Sequence, residues 1–349
     1  MNALSLRCRY TFAPVSLSLI FVLGCVISHS TCVKAQRTTA VEPLGASHSL
    51  HLQFPGEQPR PLSMTTGDFD EDGVNDLVIG YALAKGGSIA VLRGNLDAHA
   101  PQTHESWLAA GRHEYSDPYL QNSEPITVDS RPSLMTAADV NGDGHLDLVF
   151  ATKGGNQLFA LFGDGKGNFL SPVSTTVDGA VTALAAYRPG APFMGEMVVL
   201  GQQSKAGAKL SILSYSSNTW TTQASYSLPG RATAMTVANL DADSIPDTAI
   251  VAGGQLLILH GKAALSGQNA LTTVPGSDVE SVTAGSFLFD RRGLLQLSVL
   301  TSSGDVVTLA HEGFDSRPYT TQELAQSRRG THANVQPLSQ QTSNTGDAP

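Results

Sequence analysis

One acidic loop, set just ahead of a short apolar run, recurs three times along this chain: Asp68–Asp76 (DFDEDGVND), Asp139–Asp147 (DVNGDGHLD) and Asn239–Asp247 (NLDADSIPD). A loop-and-strand unit that repeats leaves few folds open, because each copy must bury an equivalent face against an equivalent neighbour. The runs behind the loops (LVIG, LVFA, TAIVAG) are short, apolar and rich in branched residues, as buried strands are.

Within each loop, oxygen-bearing side chains stand at positions one, three, five and nine. That spacing suits a hard divalent cation such as calcium, which takes six to eight oxygens and can be surrounded by alternate residues of a tight loop. In the first loop Asp68, Asp70, Asp72 and Asp76 are the candidate ligands, with the Val74 carbonyl between them. In the second they are Asp139, Asn141, Asp143 and Asp147, with the His145 carbonyl, its imidazole expected to point outward. The third offers Asn239, Asp241, Asp243, Asp247 and the Ile245 carbonyl. Gly73 and Gly144 stand where the first two loops must bend through a positive φ; the third has Ser244 there and adds Pro246. Asp, Asn and Gly also crowd metal-free turns, but clustered carboxylates repel unless a cation or protons lie among them. An EF-hand requires a Glu at position twelve, which these loops lack.

Around the loops the chain divides into about five units at a spacing of about 50 residues, one of them longer. Each begins with a turn and a small-residue strand, from Phe54, Val128, Val177, Leu228 and Val274. A further strand follows in each: SIAVLRG, QLFALFG, KLSILSY, QLLILHG and DVVTLAH. The units from Val177 and Val274 keep this frame without the acids, running on to MVVLG and LQLSVLT. Helical periodicity is scarce, and 34 glycines with 6% aromatic residues fit many turns and short strands. The expected class is therefore all-β: a β-propeller of four-stranded blades, five of them readable, complete in itself or part of a seven-bladed or incomplete ring. Solenoid coils are too short for these units, and a sandwich need not repeat.

DFDEDGVNDLVI, DVNGDGHLDLVF and LFGDGKGNF (Leu161 to Phe169) resemble FG-GAP/VCBS repeats, the blades of integrin-alpha-like propellers, and the resemblance extends over about residues 48–323. It implies a stabilising calcium ion in the loop between the first two strands of a blade, and binding surfaces built from other loops. The resemblance carries over no ligand, since the family shares a scaffold rather than a partner. The strand-like LHLQF at Leu50 stands where a displaced fourth strand would close a ring.

Residues 1–35 read as a signal peptide: Arg7 and Arg9, an apolar run from about Tyr10 to Ile27, and small residues before Gln36. The alternative is a lipoprotein leader (VLGC) ending before Cys25, which would carry a lipid anchor. Cys8, Cys25 and Cys32, the chain's only cysteines, all lie in this leader. Residues 36–47 read as a linker and 324–349 as a polar, disordered tail. A net charge of −9 without a basic run argues against nucleic acid, and the mature chain offers no membrane span.

The segment from Asn95 to Pro125 is a long insertion holding His99, His104, His113, Trp107, Tyr115 and Tyr119. It reads either as an aromatic recognition loop, or as a solvated loop in which Trp107 is a strand residue filling space between blades. No GxSxG elbow, HExxH helix or Walker loop is present. The expected function is thus an exported, calcium-binding, non-catalytic propeller that presents loops to an extracellular protein or glycan in recognition or adhesion. The alternatives are a polysaccharide lyase or hydrolase on the same scaffold, and a fragment of a larger multidomain exoprotein.

Overall fold

The structure is a computed structural model that describes residues 59–328, apart from 115, 121–123, 190–194, 242, 244, 266–269, 277 and 312. The leader, the linker, LHLQF and the tail beyond Arg328 lie outside the described residues.

The chain forms a β-propeller of five antiparallel sheets in sequence order. The first blade is β1 (Arg60–Gly67), β2 (Asp76–Ala82), β3 (Gly87–Leu92) and, after helices α1 (Leu96–His99) and α2 (His104–Gly111), β4 (Ile126–Val128). The second is β5 (Leu134–Ala138), β6 (Asp147–Ala151), β7 (Gln157–Leu161) and β8 (Val173–Thr176). The third is β9 (Ala180–Tyr187), β10 (Met197–Ser204), β11 (Gly207–Ser216) and β12 (Thr219–Leu228). The fourth is β13 (Ala232–Ala238), β14 (Asp247–Ala252), β15 (Gln255–Leu259) and, past the short helix α3 (Gly261–Leu265), β16 (Leu271–Thr273). The fifth has three strands among the described residues, β17 (Val279–Gly285), β18 (Gln296–Thr301) and β19 (Val306–Leu309), where four were expected. Helix α4 (Thr321–Arg328) follows, across the point where the polar tail was expected to begin.

The first strands are rich in Ala, Thr, Ser and Gly because they meet edge to edge: β1 touches β5, β5 touches β9, β9 touches β13 and β13 touches β17. In the internal blades the second and third strands are sandwiched between neighbouring blades and largely apolar on both faces; every residue of β6 and β14 is buried. Four buried clusters form the core, each between consecutive blades. Val78 and Ile89 meet Leu148 and Phe150, and Val149 and Leu158 meet Val198 and Leu200. Met197 and Ile212 meet Ile250 and Leu259, and Val251 and Ile258 meet Val282 and Leu297.

One register position recurs in every blade. The last residue of the first strand faces the first residue of the second across the connecting loop: Gly67 with Asp76, Ala138 with Asp147, Tyr187 with Met197, Ala238 with Asp247 and Gly285 with Gln296. The ninth acid of each acidic loop is thus the first residue of a buried strand.

The insertion is helical rather than a bare loop. The Thr103 hydroxyl accepts the Ser106 N–H and the Ser106 hydroxyl accepts the Thr103 N–H, a reciprocal cap that starts α2. Trp107 lies on α2 with 63% of its surface exposed, which corrects the reading that placed it in a strand between blades. No residue of the helix is buried, in keeping with a sequence that carries little amphipathic signal. No helix among the described residues is long and apolar enough to cross a membrane.

Candidate metal centre

The position-nine carboxylates are buried and both oxygens of each are engaged. Asp76 accepts the Gly94 N–H at 2.7 Å and the Phe69 N–H at 2.9 Å. Asp147 accepts the Gly163 N–H at 3.0 Å and the Val140 N–H at 2.9 Å. Asp247 accepts the Gly261 N–H at 3.1 Å and the Leu240 N–H at 3.3 Å. Each thereby ties the loop's second residue to the end of the blade's third strand. Burial pushes their carboxyls up, to about 6 for Asp76, about 7 for Asp147 and about 6 for Asp247, against the opposing pull of those N–H donors.

The glycines in this clasp are dictated by space. A Cβ on Gly163 would lie 2.2 Å from the Leu146 carbonyl oxygen, and one on Gly261 2.2 Å from that of Pro246. Of the residues just before the three clasp glycines, Arg93 and His260 are carried beside the acids of the loop, while Phe162 turns into the core between blades. Sequence reasoning missed these positions, although the recurring LRG, LFG and LHG at the ends of the third strands were their signal.

The rest of each loop is held by its own side chains. In the first, Asp68 accepts the N–H groups of Asp72 and Gly73; in the second, Asp139 accepts those of Gly142 and Gly144. The residues at position seven, Val74, His145 and Ile245, each donate their N–H to the position-five carboxylate of Asp72, Asp143 and Asp243, at 2.8, 2.9 and 2.8 Å. Gly73 and Gly144 take φ of 91° and 92°, the bend expected at position six. Ser244 lies outside the described residues. The His145 imidazole does not simply face solvent: its Nδ1 meets Glu71 Oε1 of the first loop at 2.5 Å.

The loops differ in how they gather oxygens. In the first, carboxylate oxygens of Asp68, Asp70 and Asp72 lie within 4.8 Å of one another, and Asp70 Oδ1 is buried without a hydrogen-bond donor. Burial and then Asp72 raise the Asp70 carboxyl, opposed by Arg93, whose Nε stands 3.9 Å away. An orphaned acceptor among three acids fits a calcium ion, with Asp68, Asp70 and Asp72 to hold it and Asp76 behind them. In the second loop the Asn141 side chain donates to Asp143 Oδ2 at 2.8 Å and accepts the Asp143 N–H at 3.0 Å, and Asp139, Asn141 and Asp143 are the residues that could hold an ion there. In the fourth blade Asp241, Asp247 and His260 present donor atoms within 4.8 Å of one another, while Asp243 accepts the Ile245 N–H. His99, His104 and His113 join no such cluster among the described residues.

Residues 139–187, from the second acidic loop through β9, match the model of an FG-GAP-like repeat. No curated protein matches the chain. Among solved structures, BBS1N in complex with ARL6DN, soaked with lead, is 13% identical with a TM-score of 0.48 over 74% of this chain. This chain spans 64% of the length of that BBS1N chain. Rhamnogalacturonan lyase YesW is 10% identical with a TM-score of 0.42, over 77% of this chain and 55% of its own.

Proposed function

We propose that the chain is an exported, calcium-stabilised propeller that displays rim loops to an extracellular protein or glycan and carries out no catalysis itself. The observation that carries the calcium half is the first loop, where three acids converge and Asp70 Oδ1 is buried with nothing to satisfy it. A bound calcium ion supplies positive charge that offsets the mutual repulsion of these carboxylates. Asp68 and Asp72, already fixed by N–H groups of their own loop, keep the donors in place before the ion arrives. Asp76 joins the loop to β2 and β3, so order imposed on the loop passes to the blade edge.

Support for the display half comes from the helical insertion, which carries Trp107 and Leu108 exposed on α2 instead of buried between blades. Calcium holds the loops at the blade ends, and recognition belongs to surfaces such as this one.

The test is a thermal melt of the chain in calcium and in chelator, beside Asp70→Ala. Calcium at about a hundred times its Kd adds about 2.7 kcal/mol, a rise of roughly 5 °C for a propeller of this size. Asp70→Ala should remove most of that rise; an identical melt with and without calcium sinks the calcium half. Binding to printed glycan and matrix-protein panels, lost in Trp107→Ala, tests the display half, and silence on both panels refutes it.

A further inference from the structure

Besides its loop sequence, the fourth blade departs from the other two acidic blades in the residue carried beside the loop. Where the first two have Arg93 and Phe162 before the clasp glycine, this blade has His260, with its Nδ1 3.7 Å from Asp247 Oδ1 and 3.8 Å from Asp241 Oδ2. Those separations are too long for hydrogen bonds. They are the spacing of donors that share an ion, since two metal–ligand bonds of about 2.1 Å span up to about 4.2 Å.

The far side of the ring has a partner that suits one tautomer. Thr272 donates its hydroxyl proton to the Ile258 carbonyl at 3.4 Å, leaving its oxygen to accept from His260 Nε2 at 3.2 Å. With the proton placed on Nε2, the Nδ1 lone pair faces two carboxylates, an arrangement that suits a cation between them. Asn239 Oδ1, at position one of the same loop, is buried and accepts no hydrogen bond. Asp247 is held by the Gly261 and Leu240 N–H groups, and Asp241 accepts the Asp243 N–H, so two of the donors are oriented before any ion binds.

We infer that the fourth blade binds a first-row transition-metal ion of the zinc class through His260 Nδ1, Asp241 and Asp247, with Asn239 as a fourth oxygen, in preference to calcium. Imidazole suits zinc and its neighbours, whereas calcium takes oxygens. The neutral Asn239, in place of Asp68 or Asp139, also lowers the negative charge a calcium site relies on. This site goes beyond the calcium reading of the first two blades and stands without it.

The test uses the untagged full chain with its thiols alkylated, stripped with chelator and titrated with zinc alone under about a hundredfold excess of calcium. Cobalt substitution gives a visible-absorption readout of nitrogen ligation. One equivalent of zinc should bind. His260→Gln should abolish that equivalent and the cobalt spectrum, and Thr272→Val, which frees the imidazole from its acceptor, should weaken zinc by about 10- to 100-fold. Asp70→Ala should leave zinc uptake unchanged, so failure of the calcium reading and failure of this one are told apart. Equal zinc affinity in the wild type and both variants, or displacement of the ion by calcium, overturns the inference.

Discussion

The carboxylates at loop position nine face opposing demands: they are buried, which favours the protonated form, yet each accepts at least two N–H bonds, which favours the charged one. Burial prevails, since Asp76, Asp147 and Asp247 all titrate well above an ordinary carboxylate near 4. Between about pH 4 and 7 the folded, metal-free chain therefore holds more protons than the unfolded one, and its stability falls as pH rises through that window. Denaturant midpoints in chelator should be higher at pH 5 than at pH 7.5; a midpoint that climbs instead would mean the N–H bonds outweigh burial. The fifth blade meets the same need without charge. There the buried Gln296 amide oxygen accepts the Phe287 and Leu288 N–H groups, both at 2.9 Å. The glycine end of the clasp is as demanding as the acid. Gly163→Ala would drive a Cβ into the Leu146 carbonyl, and it should cost about 1–3 kcal/mol by chemical denaturation, with calcium or without. A loss below a few tenths of a kcal/mol would show that the loop yields at little cost.

At the scale of elements, the first two acidic loops are joined across blades. The Gly167 N–H donates to the Phe69 carbonyl at 2.9 Å, and Arg93 donates to the Lys166 carbonyl at 2.6 Å. The rings of Phe69 and Phe169 meet edge to face at 5.3 Å. The Glu71–His145 pair belongs to this junction, and the hydrogen bond to Glu71 raises the His145 imidazole above its usual value. Its contribution is present below about pH 6.5 and is lost as pH rises through the raised value. Both side chains are about two-fifths exposed, so a double-mutant cycle of Glu71→Gln and His145→Gln should give a coupling of no more than about 1 kcal/mol at pH 5.5 and almost none at pH 8.5. An unchanged coupling at the two pH values would count against a charged imidazole. These contacts show where the sequence was readable. The second strands announced themselves because a strand buried on both faces needs an unbroken apolar run, as in DLVFA and DTAIVA. The acidic loops were legible because their oxygens lie within nine residues. His260 and Arg93 were not, since their roles come from a β-strand that returns to the loop 14 to 18 residues later, and nothing local marks that approach. Helix α2 escaped notice because its cap uses Ser106 where a Glu or Gln is the usual sign.

For the propeller as a whole, the succession of blades has two ends among the described residues. Four apolar clusters join blades one to five in order, and no fifth cluster joins β17 to β1 among the described residues. The second strands record this: β6 and β14, with a blade on each side, are buried throughout, whereas β2 alternates between buried and half-buried residues, although its neighbour β3 is buried throughout. β19 is mostly exposed, with Val306 69% accessible. In an array whose units touch only their neighbours, stability is close to a sum of unit and interface contributions, so a terminal unit with one interface opens before an internal one with two. The fifth blade also lacks a fourth strand among the described residues, and its loop side is held by polar contacts: Asp290 with His311, and Arg291 with Glu323 of α4. Native-state hydrogen exchange should therefore find β18 and β19 the least protected strands, β2 and β3 intermediate, and β6, β10 and β14 exchanging only with global unfolding. Equal protection of β18 and β14 would require a second interface on the fifth blade, and with it closure of the ring.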